Sequence, residues 1–420
     1  MSLEVVTFGC RLNALESEAM RDAARAAGLT DAVLVNTCAV TGEAVRQARQ
    51  AIRRAARNRP DRPIVVSGCA AQIDPDAFRD LPGVVRVVGN GEKGQAGAYA
   101  GPARAVPDVF AAAPAPVAAR PLGDRVRAHL AVQTGCDHRC TFCVIPYGRG
   151  ASRSVPAGEV VRQVQGLVAA GVQEVVLTGV DLISWGEDLP GTPPLGRLVR
   201  RILKGTPDLP RLRLSSIDAA EIDPELLAAF ADEPRLMPWL HLSLQHGDDL
   251  ILKRMKRRHR RADAEALVAQ VRALRSDVAF GADLIVGFPT ESDAAFATLL
   301  DHVEALDLAA VHAFPFSLRP GTPAARMPQV RGEVIQARAA ALRAAGTQAR
   351  VRHLERQTGR TVSALVEHGG RARAPDHTEI HWTGTPGTLV ALTLTGHDGC
   401  RAHAVAAGAN RLAVPQGTPH

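Results

Sequence analysis

The segment Cys136-Asp-His-Arg-Cys140-Thr-Phe-Cys143 places three thiols within one eight-residue window. A CxxxCxxC loop can offer thiolates to three irons of a [4Fe–4S] cluster and leave the fourth iron without a protein ligand. An open iron takes an exogenous donor, and the amino and carboxylate groups of S-adenosylmethionine suit it. Electron transfer into the sulfonium then breaks a C–S bond and releases a 5′-deoxyadenosyl radical. A structural zinc knuckle is the competing reading. Zinc sites usually want a fourth ligand from a second Cys or His pair. None stands at suitable spacing, His138 being on the loop itself.

Three further cysteines occur in Thr-Phe-Gly-Cys10, Asn-Thr-Cys38 and Ser-Gly-Cys69, each just after an apolar run that reads as a β-strand. Loops beyond the carboxyl ends of parallel strands meet at one crevice, so these thiols can converge although about thirty residues separate them in sequence. Glycines before Cys10 and Cys69 allow close backbone approach to a bulky group. Again there are three thiols and no fourth, which points to a second [4Fe–4S] cluster with an open iron able to carry sulfide or a methylated sulfur. Buried structural cysteines are the alternative. Cys400 has no comparable partner and reads as an ordinary thiol.

The elements that must hold these residues follow from periodicity. Strands are expected over 3–7, 32–36 and 63–67, with helices over 13–27 and 41–58 between them, giving a small parallel, Rossmann-like α/β domain. Residues 94–122, rich in Ala, Pro and Gly, read as a connection. Strands over 127–133, 174–178, 211–215, 240–244, 279–286 and 309–315 then alternate with helices over 156–170, 195–203, 223–230, 262–275 and 293–306. Six βα repeats suit a partial, open α/β barrel better than a complete eightfold one. A long Arg-studded helix over 332–357 precedes short strands over 362–367, 377–382, 388–395 and 401–404, a small β domain. The expected domains are thus 1–110, 122–355 and 358–420.

At 420 residues, with 46% hydrophobic and 22% charged residues, the chain has the composition of a soluble globular protein with room for two or three cores. No stretch approaches the roughly 18 apolar residues of a membrane span. The amino terminus lacks the basic region and cleavage site of a secretion signal, so the cytoplasm is the expected location. Seven cysteines in that setting argue for metal or redox chemistry and against a disulfide framework. The net charge of +7 permits a polyanionic partner, and with only 4% aromatics a nucleic-acid surface would lean on phosphate contacts.

Several blocks resemble the radical S-adenosylmethionine methylthiotransferases along nearly the whole chain. Residues Thr7 to Asn13 and Val35 to Thr41 resemble their amino-terminal domain, and Gly135 to Gly150 with Ser152-Arg-Ser154 resembles the entry to the radical core. Val176-Leu-Thr-Gly-Val-Asp181, His241-Leu-Ser-Leu-Gln245, Leu284-Ile-Val-Gly-Phe-Pro289-Thr-Glu291 and Ser317-Leu-Arg-Pro-Gly-Thr-Pro323 are similar to later blocks, and the last domain is similar to the RNA-binding TRAM module. Asn-Thr-Cys38-Ala-Val-Thr and Leu-Thr-Gly-Val180 look like the branch acting on threonylcarbamoyl-adenosine in tRNA. His246 and Phe316 depart from the Ser and Tyr frequent at their places. The resemblance implies replacement of the C–H at carbon 2 of that adenine, immediately 3′ of the anticodon (position 37), by C–S–CH₃. It implies two [4Fe–4S] clusters, on Cys10, Cys38 and Cys69 and on Cys136, Cys140 and Cys143, with S-adenosylmethionine as methyl donor and radical source. It also implies tRNA as partner and a reducing electron donor of flavodoxin or ferredoxin type. Rivals are methylthiolation of isopentenyl-adenosine or of a ribosomal protein, a non-catalytic RNA-binding redox sensor, and a zinc-stabilised RNA-binding module.

Other positions carry two readings each. Phe142 can pack on the adenine of S-adenosylmethionine or merely within its loop. Gly179 can expose backbone to the methionyl ammonium or simply end a strand. Ser243 and Gln245 alternate with leucines, so they point into the barrel as ribose or carboxylate contacts or as satisfied core groups. Ile285 and Gly287 place backbone near the adenine or form an ordinary strand end. Arg53 and Arg57 lie on one face of the second helix with Arg46 and Arg49. Lys253, Arg254, Lys256 and Arg257 belong to a run with seven positive charges in nine residues. Both sets are phosphate candidates against the usual solvated face. Arg254 and Arg257 can also pair with a substrate carboxylate. Asp218, Glu221 and Glu291 are candidate inner polar groups or loop caps.

Overall fold

The computed structural model describes residues 3–111, 120–121, 126–220 and 222–408. Glu221, most of the Ala/Pro run after Ala111 and the last twelve residues of the expected β domain lie outside them.

Strands β1 (Glu4–Thr7), β2 (Val33–Thr37), β3 (Ile64–Gly68) and β4 (Val84–Val87) form a parallel sheet in that order. Register pairs Val5 with Leu34 and Leu34 with Val65, so alternate residues feed opposite faces. Helix α1 (Arg11–Ala26) sets Met20, Ala23 and Ala24 against Leu34, Val65 and Val88 on one face. Helix α2 (Gly42–Asn58) sets Ala48 and Ile52 against Val33, Val35, Ile64 and Val66 on the other. Thr41 caps α2 by accepting the Ala44 amide (3.1 Å). Strand β4 has no expected counterpart because Val84-Val-Arg-Val87 is too short to show a period.

The central wall runs β5 (Arg127–Ala131), β6 (Glu174–Thr178), β7 (Arg211–Leu214), β8 (Trp239–Gln245), β9 (Ala279–Val286) and β10 (Ala310–Pro315), all parallel. Its two halves join where the chain leaves β7 for Ser216–Ile217, which pairs with β8, and through a bridge between Leu212 and Leu236. The wall is open, as a partial barrel requires. Leu240, Leu242 and Leu244 with Phe280, Ala282 and Leu284 belong to the core beneath the outer helices. Their alternates, including His241, Ser243, Asp283 and Ile285, therefore line the inner face.

Helix Gly332–Gln357 crosses β10, with Gly346 against Val311, and carries Leu354 into the core of the last domain. That domain is a closed barrel of β11 (Thr361–Glu367), β12 (Arg371–Arg373), β13 (Glu379–His381), β14 (Leu389–His397) and β15 (Ala402–Ala406), ordered β11-β12-β13-β15-β14. Strand β12 is the element that sequence periodicity passes over. A buried ion seam joins this barrel to the wall. Arg213 donates to both Glu174 oxygens (2.9 and 3.1 Å) and to the Pro375 carbonyl (2.9 Å), while Arg127 pairs with Glu367 (2.9 Å).

Candidate active site

The first triad sits on the loops after β1, β2 and β3. Cys10 caps α1, Cys38 follows Thr37 directly, and Cys69 opens the short helix α3 (Cys69–Ile73). Gly68 turns the chain at φ +99°, and a Cβ there would lie 2.3 Å from the Thr37 carbonyl oxygen, so only glycine fits. Thr37 locks the same junction. Its hydroxyl donates to the Ser67 carbonyl (2.7 Å) and accepts the Ala71 amide (3.1 Å). At residue 9 a Cβ would lie 2.6 Å from the Cys38 sulfur, so that glycine keeps space open beside the thiol. Asn13 donates to the Phe8 and Thr37 carbonyls (2.8 and 3.0 Å), tying the Cys10 loop to the Cys38 loop.

The second triad occupies the turn between β5 and helix Ile145–Arg149. Gly135 enters it at φ +74°, where a side chain would overlap the Ala151 carbonyl. Cys136 lies 3.8 Å from an Asp181 oxygen, Cys140 lies 3.7 Å from Arg257 Nη1, and Cys143 accepts the Ile145 amide at 3.4 Å. Helix Ile145–Arg149 is the shared wall between the triads. A Cβ on Gly148 would lie 3.0 Å from Cys69 Cβ, and Asn90 Nδ2 donates to the Gly148 carbonyl (2.6 Å) while reaching the Cys69 sulfur at 3.4 Å.

That helix ends in an arginine buried in the first domain. Arg149 donates to Glu16 (2.8 and 3.0 Å) and to Asn13 Oδ1 (2.7 Å), and Lys93 donates to Glu16 (2.5 Å). Burial alone would raise the Glu16 carboxyl, but Arg149 and Lys93 outweigh it and bring the value down to about 2.

The donor sets fit iron–sulfur clusters. All six thiols are free of disulfides. Burial pushes Cys38 and Cys143 up to about 11 and Cys136 up to about 12, so those thiols stay protonated until a metal displaces the proton. Amide donors already address the sulfurs, Val40 N to Cys38 and Ile145 N to Cys143, both at 3.4 Å. A lone tetrahedral zinc at about 2.3 Å from each sulfur would need sulfurs about 3.8 Å apart. Among the described residues neither triad brings its sulfurs within 4.8 Å of one another. A cube spreads its ligands wider. Two mixed groups are that close among the described residues: His241, Asp283 and His312, which holds no cysteine, and Cys136, His138 and Asp181, which leaves out Cys140 and Cys143.

The other expected residues divide. Phe142 packs edge-on against Phe288 (6.4 Å, 83°) in a cluster with Ile251, Met255 and Ile285, which is the loop-packing arrangement. The Gly287 amide donates to Glu291 (2.7 Å), and residue 287 abuts Ile335. Glu291 itself is buried against Arg338 (2.8 Å), a structural role. Gly179 lets Gln133 approach, and the Gln133 oxygen accepts the Val180 and Asp181 amides (2.9 Å each). Gln245 closes β8 in the left-handed region (φ 68°), a costly conformation for a non-glycine residue at the mouth of the wall. Arg254 donates to the Thr290 hydroxyl (2.6 Å), and Arg257 to Asp218 and the Ser243 carbonyl (2.7 Å each), so both are committed within the fold. On α2, Arg46 is held by Glu43 and Arg49 lies over Phe78, leaving Arg53 and Arg57 exposed without ion-pair partners among the described residues. Lys253 and Lys256 are likewise exposed.

Sequence reasoning passed over one inner-face group. His241 Nε2 and His312 Nδ1 lie 2.8 and 3.0 Å from Asp283 Oδ1, with the imidazoles 4.7 Å apart. The two-residue period that placed Ser243 and Gln245 inside also places His241 there, and cross-strand register brings Asp283 opposite His312.

Comparison with known proteins places the chain. Residues 130–303 match the radical SAM superfamily, and residues 2–89 match an uncharacterized family, UPF0004. The threonylcarbamoyladenosine tRNA methylthiotransferase MtaB of Rickettsia prowazekii is 46% identical over 90% of this chain and 89% of its own. The chain belongs to the radical SAM methylthiotransferase family. It is an enzyme that transfers a sulfur-containing group, and the family's radical chemistry uses S-adenosylmethionine with a [4Fe–4S] cluster. Among other relatives, the MtaB of Thermotoga maritima is 37% identical, covering 78% of this chain and 77% of its own. The tRNA-2-methylthio-N(6)-dimethylallyladenosine synthase of Paracoccus denitrificans is 36% identical, with 88% and 86% covered. Among solved structures, the radical S-adenosylmethionine methyltransferase TsrM of Kitasatospora setae shares the fold, with a TM-score of 0.57 at 17% identity over 77% of this chain and 75% of its own.

Proposed function

We propose that this methylthiotransferase acts on N6-threonylcarbamoyladenosine beside the anticodon of tRNA, at carbon 2, using two [4Fe–4S] clusters held by Cys10, Cys38 and Cys69 and by Cys136, Cys140 and Cys143. The observation that supports the reading is the pair of three-thiol loops that meet at helix Ile145–Arg149, where the Ile145 amide reaches the Cys143 sulfur (3.4 Å) and Gly148 packs against Cys69. An unactivated aromatic C–H resists acid–base and nucleophilic attack. One site must therefore make a radical and the other deliver sulfur within reach of the same base.

When bound, the clusters with S-adenosylmethionine supply homolysis at one site and a methylated sulfur at the other. The chain's own residues position the parts. Gly9 leaves room beside the Cys38 sulfur, Asn90 fixes Cys69 against Gly148, and Arg149 anchors the radical loop in the first domain. His241, Asp283 and His312 put hydrogen-bonding groups on the inner face, which suits the urea and hydroxyl of a threonylcarbamoyl group better than a prenyl hydrocarbon. Arg53 and Arg57 on α2 and the closed barrel offer surfaces for the phosphate backbone. Functional units of 1–110, 122–355 and 358–420, and work in the cytoplasm with a reduced flavodoxin- or ferredoxin-type donor, complete the reading. No helix among the described residues is long and apolar enough to cross a membrane.

Nucleoside analysis of tRNA from a deletion strain tests the substrate. Loss of the methylthio mark from threonylcarbamoyladenosine alone is the expected result; loss only from the isopentenyl nucleoside would move the enzyme to the other branch. Anaerobic reduction with S-adenosylmethionine tests the chemistry. Failure to form 5′-deoxyadenosine would leave the redox-sensor reading standing.

A further inference from the structure

Radical generation consumes an electron from outside the chain, and the route by which it arrives has geometric constraints. Cys143 leads into helix Ile145–Arg149, whose Gly148 packs against Cys69 of the first domain, while Cys136 faces Asp181 and His138. Cys140 instead lines a surface cleft of about 270 Å³ with His138, Arg139, Lys256, Arg257 and Arg258. The rim is strongly cationic. Arg139, Lys256 and Arg258 line the cleft and are exposed; Lys253 and Arg260, adjoining in the chain, are exposed too, and Lys253 and Lys256 have no ion-pair partner among the described residues. Among the residues lining the cleft itself the carboxylates are fewer, although Asp249 and Asp263 stand beside Lys253 and Arg260. Asp137 is exposed at the cleft, while Asp218 is buried and already pairs with Arg257 (2.7 Å) and Arg258 (3.5 Å).

This charge is fixed to the loop. Helix Asp249–Met255 ends at Lys256, whose left-handed backbone (φ 62°) turns the chain back across the cysteines. The Met255 carbonyl accepts the Thr141 amide (3.1 Å), and the Arg254 carbonyl accepts the Thr141 hydroxyl (2.7 Å). Arg257 then spans Asp218, the Ser243 carbonyl and the Cys140 sulfur. Positive charge is thus tied by hydrogen bonds to the loop that carries Cys140.

We propose that this cleft and its lysine–arginine rim form the docking surface for the electron donor, an acidic protein carrying a one-electron flavin or iron–sulfur centre. The inference rests on Cys136, Cys140 and Cys143 being the radical site. One electron leaves the carrier for each sulfonium C–S bond cleaved, and the carrier departs oxidised by one electron. Complementary charge steers the encounter, and the short path through Cys140 makes the contact productive.

The test uses the reconstituted holoenzyme and its Lys253→Glu/Lys256→Glu variant at matched iron content. Initial 5′-deoxyadenosine formation is measured with flavodoxin reduced by its reductase and, separately, with dithionite. Direct tRNA affinity is measured by filter binding, and flavodoxin affinity by surface plasmon resonance. The expected result is an apparent KM and Kd for flavodoxin raised about tenfold, with a flatter salt dependence. Dithionite-driven rate and tRNA affinity should stay within about twofold. The neutral Lys253→Gln/Lys256→Gln variant should fall between. An unchanged flavodoxin KM overturns the proposal, and weakened tRNA binding beside it reassigns the patch to RNA. An equal loss with dithionite overturns it too, marking damage to the radical site. Absence of 5′-deoxyadenosine from the wild type under dithionite would instead defeat the underlying radical assignment.

Discussion

Replacing Gly9 by alanine adds one methyl group and strikes only one of the two sulfur triads. The new Cβ would stand 2.6 Å from the Cys38 sulfur, where ordinary contact needs about 3.5 Å, so the thiol must retreat by about 1 Å. The backbone at φ +91° adds a further penalty for any L side chain, about 1–2 kcal/mol. Overpacking contributes about 1–3 kcal/mol more, and the total of about 2–5 kcal/mol falls on the geometry of a metal site. The radical loop, which begins at Gly135, is untouched. After anaerobic reconstitution the wild type should carry ~8 irons per chain and the variant ~4. With dithionite and S-adenosylmethionine the variant should still release 5′-deoxyadenosine, while methylthio transfer to tRNA falls at least about thirtyfold, the factor that about 2 kcal/mol implies. Full iron content together with wild-type transfer would refute the argument that Gly9 makes space for a cluster at Cys38.

Cys136→Ala should lose about half its iron and all formation of 5′-deoxyadenosine, whereas Cys38→Ala should lose about half its iron and keep that formation; iron assay with product chromatography separates them. Glu174→Gln should destabilise the protein by about 3 kcal/mol at pH 7, because Arg213, Arg127 and Arg211 hold the buried carboxyl near a value of about 2 against its own desolvation. Since the folded value lies below the unfolded one, this stabilisation is full above about pH 4.5 and disappears as pH falls through about 2, so urea midpoints of the two proteins should converge in acid. His312→Phe should raise the KM for threonylcarbamoyl-bearing tRNA about tenfold, the worth of one hydrogen bond, and leave 5′-deoxyadenosine formation without tRNA unchanged. An unaltered KM would remove the inner-face histidines from substrate recognition.

The placement of both cysteine sets in the fold was legible because each is written in local signals. Strand ends place Cys10, Cys38 and Cys69, and a single short window holds Cys136, Cys140 and Cys143. Strands 174–178 and 279–286 and helix 332–357 match their expected limits, because long apolar or Arg-studded periods bounded by turns leave little choice of register. What escaped depends on tertiary pairing. Helix Asp249–Met255 hides within the basic run, since the charges mask Ile251, Leu252 and Met255, which are its buried stripe. Glu16, Lys93 and Arg149 each look like ordinary surface charges, and only the docking of the first domain buries them together. The contact between Asp283 and His312 arises from strand register, which no single segment contains. Phe142 packs in the apolar cluster under the loop and the Gly287 amide donates to Glu291, contacts made across the fold that no single segment shows.

The one-turn helix Ile145–Arg149 makes the two triads a single mechanical unit, with its front edge on one and its arginine rooted behind the other. With the two proposed clusters in place, order imposed at either end can travel through that turn, alongside the packing of Leu12 and Leu15 on Ala131. Installing the first inorganic core should therefore ease installation of the second, and by thermodynamic reciprocity the benefit is the same whichever arrives first. Partially charged populations should then be scarce, with chains tending to be either empty or doubly filled.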